Sequence, residues 1–177
     1  MPKNNAPQVK FISNPLSGNA EPPQLLDDVD RQVLHLLQEN GRMTNAELAR
    51  RVKLSAPGLQ KRLRKLEETQ VIDRYVTLIN RQALGLNLLC FLQVTLAPHP
   101  QTDWIEHFCD RMKRLPEVLE CHHLTGELEY LLKVVVANHQ HLETFLFEEI
   151  TQIPGVDRIR TSIVINEVKA STALPLD

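Results

Sequence analysis

Two segments of this 177-residue chain carry the same layout in the same order, which narrows the back half to very few folds. Residues 88–96 read as a strand and residues 102–114 as a helix, after which Leu115-Pro116-Glu117-Val118 leads into a strand over 119–124. Residues 130–137 are again strand-like and 140–152 helical, and Ile153-Pro154-Gly155-Val156 opens a strand over 158–168. Each helix thus ends at an apolar-Pro-x-Val junction, because proline disfavours continuing the turn that precedes it. Two β-α-β units in tandem imply a ferredoxin-like β-α-β-β-α-β sandwich, an α+β fold. Thr125-Gly126-Glu127 forms the hairpin between the halves, with Gly126 able to take a positive φ. Two helices cover one face of such a sheet, and the other face is expected to find a second copy of the chain.

The front half follows a different period. Within 26–38, Val29, Val33, Leu36 and Leu37 recur at helical spacing, with Asp27, Asp28 and Asp30 near the positive end and Asn40-Gly41 as a stop. Thr44-Asn45-Ala46-Glu47 has the form of a capping box opening a short second helix, with Leu48, Ala49 and Val52 inward. After a turn near Lys53-Leu54, Ser55 can cap a third helix whose first turn tolerates Pro57. In that helix Leu59, Leu63 and Leu66 share one face. At ~100° per residue Lys61, Arg64 and Lys65 point away from it, and Gln60 and Arg62 lie on its flanks.

Charge says what this arrangement is for. Residues 42–65 hold eight Lys or Arg against one Glu, a formal +7, while the rest of the chain keeps 12 basic against 21 acidic residues. A polyanion touched only by this part is the partner implied, and double-stranded DNA fits. A helix, a short turn and a basic helix make a helix-turn-helix: Gln and Arg can read base edges in the major groove while Lys and Arg pair with phosphates. A basic solvated helix in a three-helix bundle is the plainer alternative.

Other chemistries are poorly supported. No nucleotide-binding glycine loop or nucleophile elbow is present. Cys90, Cys109 and Cys121 are odd in number and scattered, which suits ordinary thiols in a reducing cytoplasm. Cys121, His122 and His123 lie in a strand, where neighbours face opposite ways, so no metal site is expected. No apolar run approaches membrane-span length, and residues 1–24 are expected to be a disordered tail.

These pieces, in this order, resemble the leucine-responsive regulatory protein/AsnC family, the "feast/famine" transcription regulators. Leu26-Asp27 with Asp30 and the run Leu37-Gln38-Glu39-Asn40-Gly41-Arg42 are similar to the family's first helix and turn. Glu47-Leu48-Ala49, Leu54-Ser55 and Arg62-Leu63-Arg64-Lys65-Leu66-Glu67 are similar to its second and recognition helices. Val71-Ile72 with Tyr75 match its connecting strand, the run from Thr125 to Lys133 its ligand loop, and Glu167-Val168-Lys169 its terminal strand. The resemblance runs from about residue 26 to residue 176.

The resemblance implies a helix-turn-helix domain (25–70), a strand linker (71–86) and a ferredoxin-like ligand-binding and oligomerisation domain (87–177). It implies a cytoplasmic, nucleoid-associated homodimer that assembles further, and an amino-acid effector rather than a cofactor. Arg42, Ser55, Ala56, Pro57, Gln60, Lys61, Arg62, Arg64 and Lys65 are then the DNA-facing residues. Leu124, Thr125, Gly126, Glu127, Leu128 and Glu129 would surround the effector, with amides near Gly126 for its carboxylate and a glutamate for its ammonium. Apolar Leu124 and Leu128 favour a neutral effector such as leucine or methionine. Three features depart from the family pattern: Glu127 and Glu129 stand where Asp is frequent, Ser55-Ala56-Pro57-Gly58 replaces a Ser-Pro-Ser start, and Gln70 replaces a helix-ending Gly. A low-specificity DNA-wrapping protein is the alternative reading. An enzyme using the back domain as a sensor is a remote one.

Overall fold

The computed structural model describes residues 25–97, 103–125 and 129–176, in two compact units. The tail expected over residues 1–24, and Gly126, Glu127 and Leu128 of the expected effector loop, lie outside the described residues.

 The head consists of residues 25–78 together with 169–176, and the sensor of residues 79–168.

In the head, α1 (Asp28–Glu39) opens with a reciprocal cap. The Asp27 carboxylate accepts the Asp30 amide at 2.8 Å, and the Asp30 carboxylate accepts the Asp27 amide at 3.4 Å. Asp28 and Asp30 also suit the positive end of the helix. Helix α2 (Asn45–Arg51) is capped by Thr44, whose hydroxyl accepts the Glu47 amide at 3.2 Å. The expected return bond from Glu47 is not made, because its carboxylate takes Arg51 at 2.8 Å instead. Lys53 turns the chain at φ 55°, and Ser55 caps α3 (Ala56–Glu68) by accepting the Gly58 amide at 3.3 Å. Val33, Leu34, Met43, Leu48, Ala49, Val52, Leu59, Leu63 and Leu66 form the head's core. The second and third helices bury the faces their periodicity predicts. On α1 the buried stripe is Val33 and Leu34, with Val29, Leu36 and Leu37 only partly covered beside it.

The strand expected between the domains is absent: residues 73–80 have no ladder partner, and a single 3-10 turn (Gln82–Leu84) follows. A strand needs a neighbour to take its amides and carbonyls, and none of the described residues provides one here. Tyr75, Val76, Leu78 and Ile79 are all exposed.

The sensor has the β-α-β-β-α-β order read from the repeat. Strand β1 (Leu88–Leu96) is followed by α4 (Trp104–Arg114), β2 (Val118–His123) and β3 (Glu129–Val136). Helix α5 (His139–Thr144) then widens into a π-helical turn (Phe145–Ile150) before β4 (Val156–Ile163). The antiparallel sheet has the order β2-β3-β1-β4. One face, from Cys90, Leu92, Val94, Tyr130, Leu132 and Val134, packs on Trp104, Phe108, Met112, Leu142, Phe145 and Ile150 of the helices.

Both junctions of the repeat make the same turn. The Val118 amide returns to the Leu115 carbonyl at 3.1 Å, and the Val156 amide to Ile153 at 3.2 Å. Leu115 and Ile153 are buried at the first position of each turn, with proline second, where its fixed φ belongs. Gly155 sits at φ 87°, and a Cβ there would lie 2.5 Å from the Trp104 ring, so only glycine lets the second junction close.

Strand β4 ends at Ile163, five residues earlier than the repeat suggests. Val164 still donates to the Leu89 carbonyl at 2.9 Å and Glu167 pairs with Arg81 at 2.7 Å, but the ladder has run out of partners. Residues 169–176 belong with the head and not with the sensor, contrary to the expected boundary.

Candidate nucleic-acid interface and effector loop

The α3 surface follows from its buried stripe. Leu59, Leu63 and Leu66 are buried, and Gln60, Lys61, Arg64 and Lys65 are exposed on the remaining faces. Ser55, Ala56 and Pro57 are exposed at its start, where the Ser55 hydroxyl is already used as the cap. Arg42 is exposed just before α2. Of the eight basic residues in the window, Arg51 pairs with Glu47 and Arg62 with two carboxylates. Arg42, Arg50, Lys53, Lys61, Arg64 and Lys65 make no ion pair among the described residues, which leaves their charge available to a polyanion. Arg50 and Lys53 extend this basic set into the turn. Their signal in the sequence was the charge window alone, since neither falls on the recognition helix.

Arg62 is placed differently from its neighbours. One guanidinium nitrogen donates to Asp27 and to Asp30, at 2.6 Å each, and Asp30 is the buried acidic residue of the head at 2% exposure. The Asp30 amide, and then Arg62, hold the Asp27 carboxyl below its ordinary range. The same two carboxylates raise the Arg62 pKa. The contact ties α3 to the first turn of α1. The amphipathic pattern put Arg62 on a flank; the partner 35 residues away on another helix could not be read from it.

Leu124, Thr125 and Glu129 flank the expected effector loop. The Leu124 amide donates to the Glu129 carbonyl at 2.9 Å, which continues the β2–β3 pairing past His123 and Tyr130. Leu124 and Glu129 are half-buried and Thr125 is exposed. The Glu129 carboxylate accepts from the Gln93 side chain at 3.1 Å. Behind it Tyr130 faces the helices, stacked on His123 with ring centroids 4.7 Å apart and 4.8 Å from Phe108. Among the described residues no group of three or more His, Cys, Asp or Glu could hold a metal ion. Nor is any described helix long and apolar enough to cross a membrane.

Residues 26–67 match the model of the AsnC-type helix-turn-helix domain, and residues 89–174 that of the Lrp/AsnC ligand binding domain. A leucine-responsive regulatory protein from Serratia marcescens is 38% identical over 162 residues, 90% of this chain and 96% of that protein. The chain belongs to the Lrp/AsnC family of transcription regulators. A Neisseria meningitidis transcriptional regulator solved with L-methionine superposes with a TM-score of 0.81 at 35% identity, covering 86% of this chain and 98% of that one. An AsnC family regulator from Agrobacterium tumefaciens gives a TM-score of 0.78 at 30% identity, with 85% and 97% covered. As a Lrp/AsnC regulator this chain combines a DNA-binding head with an amino-acid-binding domain, in a family that works as oligomers.

Proposed function

We propose that this regulator reads a two-fold-symmetric DNA site as a homodimer and responds to an uncharged, apolar amino acid of the leucine or methionine kind. The observation that carries the DNA half is the α3 ridge of exposed Lys61, Arg64 and Lys65, which make no ion pair among the described residues, opposite a buried leucine stripe. Arg42, Ser55, Ala56, Pro57 and Gln60 complete that face, and Arg62 orients it. For the effector half, support comes from the loop 124–129: backbone amides around Gly126 for a carboxylate, glutamates for an ammonium and leucines for an apolar side chain. Relatives named for their leucine response, and a neighbour solved with L-methionine, point the same way. The role is regulatory and not catalytic, it needs no metal or organic cofactor, and it is exercised in the cytoplasm at the nucleoid.

Calorimetry tests the effector. Leucine or methionine should release heat on the wild type at up to millimolar concentration. Gly126→Asp should abolish that heat by adding bulk and negative charge where a carboxylate must approach, with DNA binding retained. Silence from all neutral amino acids, or an equal response from the variant, removes the effector from this loop.

A further inference from the structure

The segment 169–176 leaves the sensor and completes the head, and two contacts hold it there. Gln38, in the last turn of α1, grips one residue of it from both sides. Its Oε1 accepts the Leu174 amide at 2.6 Å and its Nε2 donates to the Leu174 carbonyl at 3.1 Å. A side-chain amide offers one acceptor and a donor in the arrangement of a peptide unit, so Gln38 acts as a one-residue strand edge. Pro175 disposes Leu174 to an extended backbone, which presents its amide and carbonyl together. Leu176 then packs against the head's apolar core. Upstream, the chain remains fastened to the sensor through Glu167 and Arg81 at 2.7 Å. The polypeptide therefore passes between sensor and head twice, at residues 78–79 and at residues 168–169.

We propose that α1 carries a docking site for a short extended Leu-Pro-Leu peptide, filled by residues 174–176, and that this docking makes the tail a second, releasable tether on the DNA-binding head. The first tether is the covalent linker. Among the described residues, the second is held by an exposed pair of hydrogen bonds and one leucine, contacts that stay made because the segment is attached and its effective concentration is high. A head held by both has less freedom to lose when it binds DNA, so docking favours binding without touching a phosphate.

Amide hydrogen exchange and DNA titration on the full chain test this together. In the wild type the Leu174 amide should exchange about tenfold or more slowly than an unprotected amide. Gln38→Ala should return it to the unprotected rate while the α1 amides stay protected, and Leu176→Asp should do the same from the apolar side. Both variants should bind a long mixed-sequence duplex about threefold or more weakly with an unchanged salt slope, because the phosphate contacts of α3 are intact. An unprotected Leu174 in the wild type overturns the docking site. Unchanged DNA affinity in a variant that has lost protection overturns the tether.

Discussion

Arg62 joins two helices through one nitrogen, and Asp30 is the partner that depends on it most. Arg62→Ala would leave a carboxylate at 2% exposure without its cation, a loss of about 1–3 kcal/mol for a buried polar group left unsatisfied. Thermal unfolding of the head measures it. Asp27 adds a pH dependence of definite sign. Its folded pKa is lowered, so its contribution is present above the unfolded pKa and is lost as pH falls through the folded value. Stability should therefore drop below about pH 4, the ordinary carboxylate range. Asp27→Asn keeps a good cap but cannot titrate, and should flatten that part of the acid slope; an unaltered slope would place the effect elsewhere. Gln70 is a separate case. It ends α3 at φ 58°, with its amide returned to the Glu67 carbonyl at 3.0 Å. A side chain is strained in that region, so Gln70→Gly should raise stability by about 0.5–1 kcal/mol, read from a denaturant midpoint.

At the scale of the element, α3 separates two jobs by face. Its leucines hold it to the head, and its exposed cations form the ridge proposed to face DNA. In a folded triple Ala variant of Lys61, Arg64 and Lys65, DNA affinity and the salt slope should both fall, since each lost phosphate contact lowers the slope by about one. Arg64→Ala alone should blur discrimination at one base position by ~1–3 kcal/mol if Arg64 reaches a base edge. Gel-shift titrations at several salt concentrations decide both, and a triple variant with wild-type affinity would remove α3 from the interface. Elements of this kind were legible because their signals are local: leucine spacing, a Ser or Thr before a turn, and proline after a helix. The linker strand and the end of β4 were not. Whether an extended segment becomes a strand depends on a partner ladder elsewhere in the molecule, and nothing in residues 73–80 or 164–168 encodes that partner. The return bond from Glu47 failed for a local reason instead, since Arg51 one turn on takes the same carboxylate.

For the whole molecule, the uncovered side of the sheet sets the expectation. The helices bury one face, and the other carries Phe91 and Leu131 half-covered near its centre, beside Lys133 paired with Glu120 at 2.8 Å. A dimer formed through this domain should persist when the head is removed. Light scattering on a fragment from residue 84 should give a dimer or larger, and a clean monomer at micromolar concentration would count against it. The repeat made the sensor's topology readable from sequence, yet the return of residues 169–176 to the head was not, because Gln38 and Leu174 are 136 positions apart. One tight contact also gives the protein an internal reporter. Trp104, the sole tryptophan of the chain, lies against Gly155 in the sensor and is 9% exposed. Its emission follows the sensor's unfolding and is blind to the head, whereas circular dichroism at helical wavelengths registers both. A difference between the two melting curves would therefore time the head's loss of structure without any added dye.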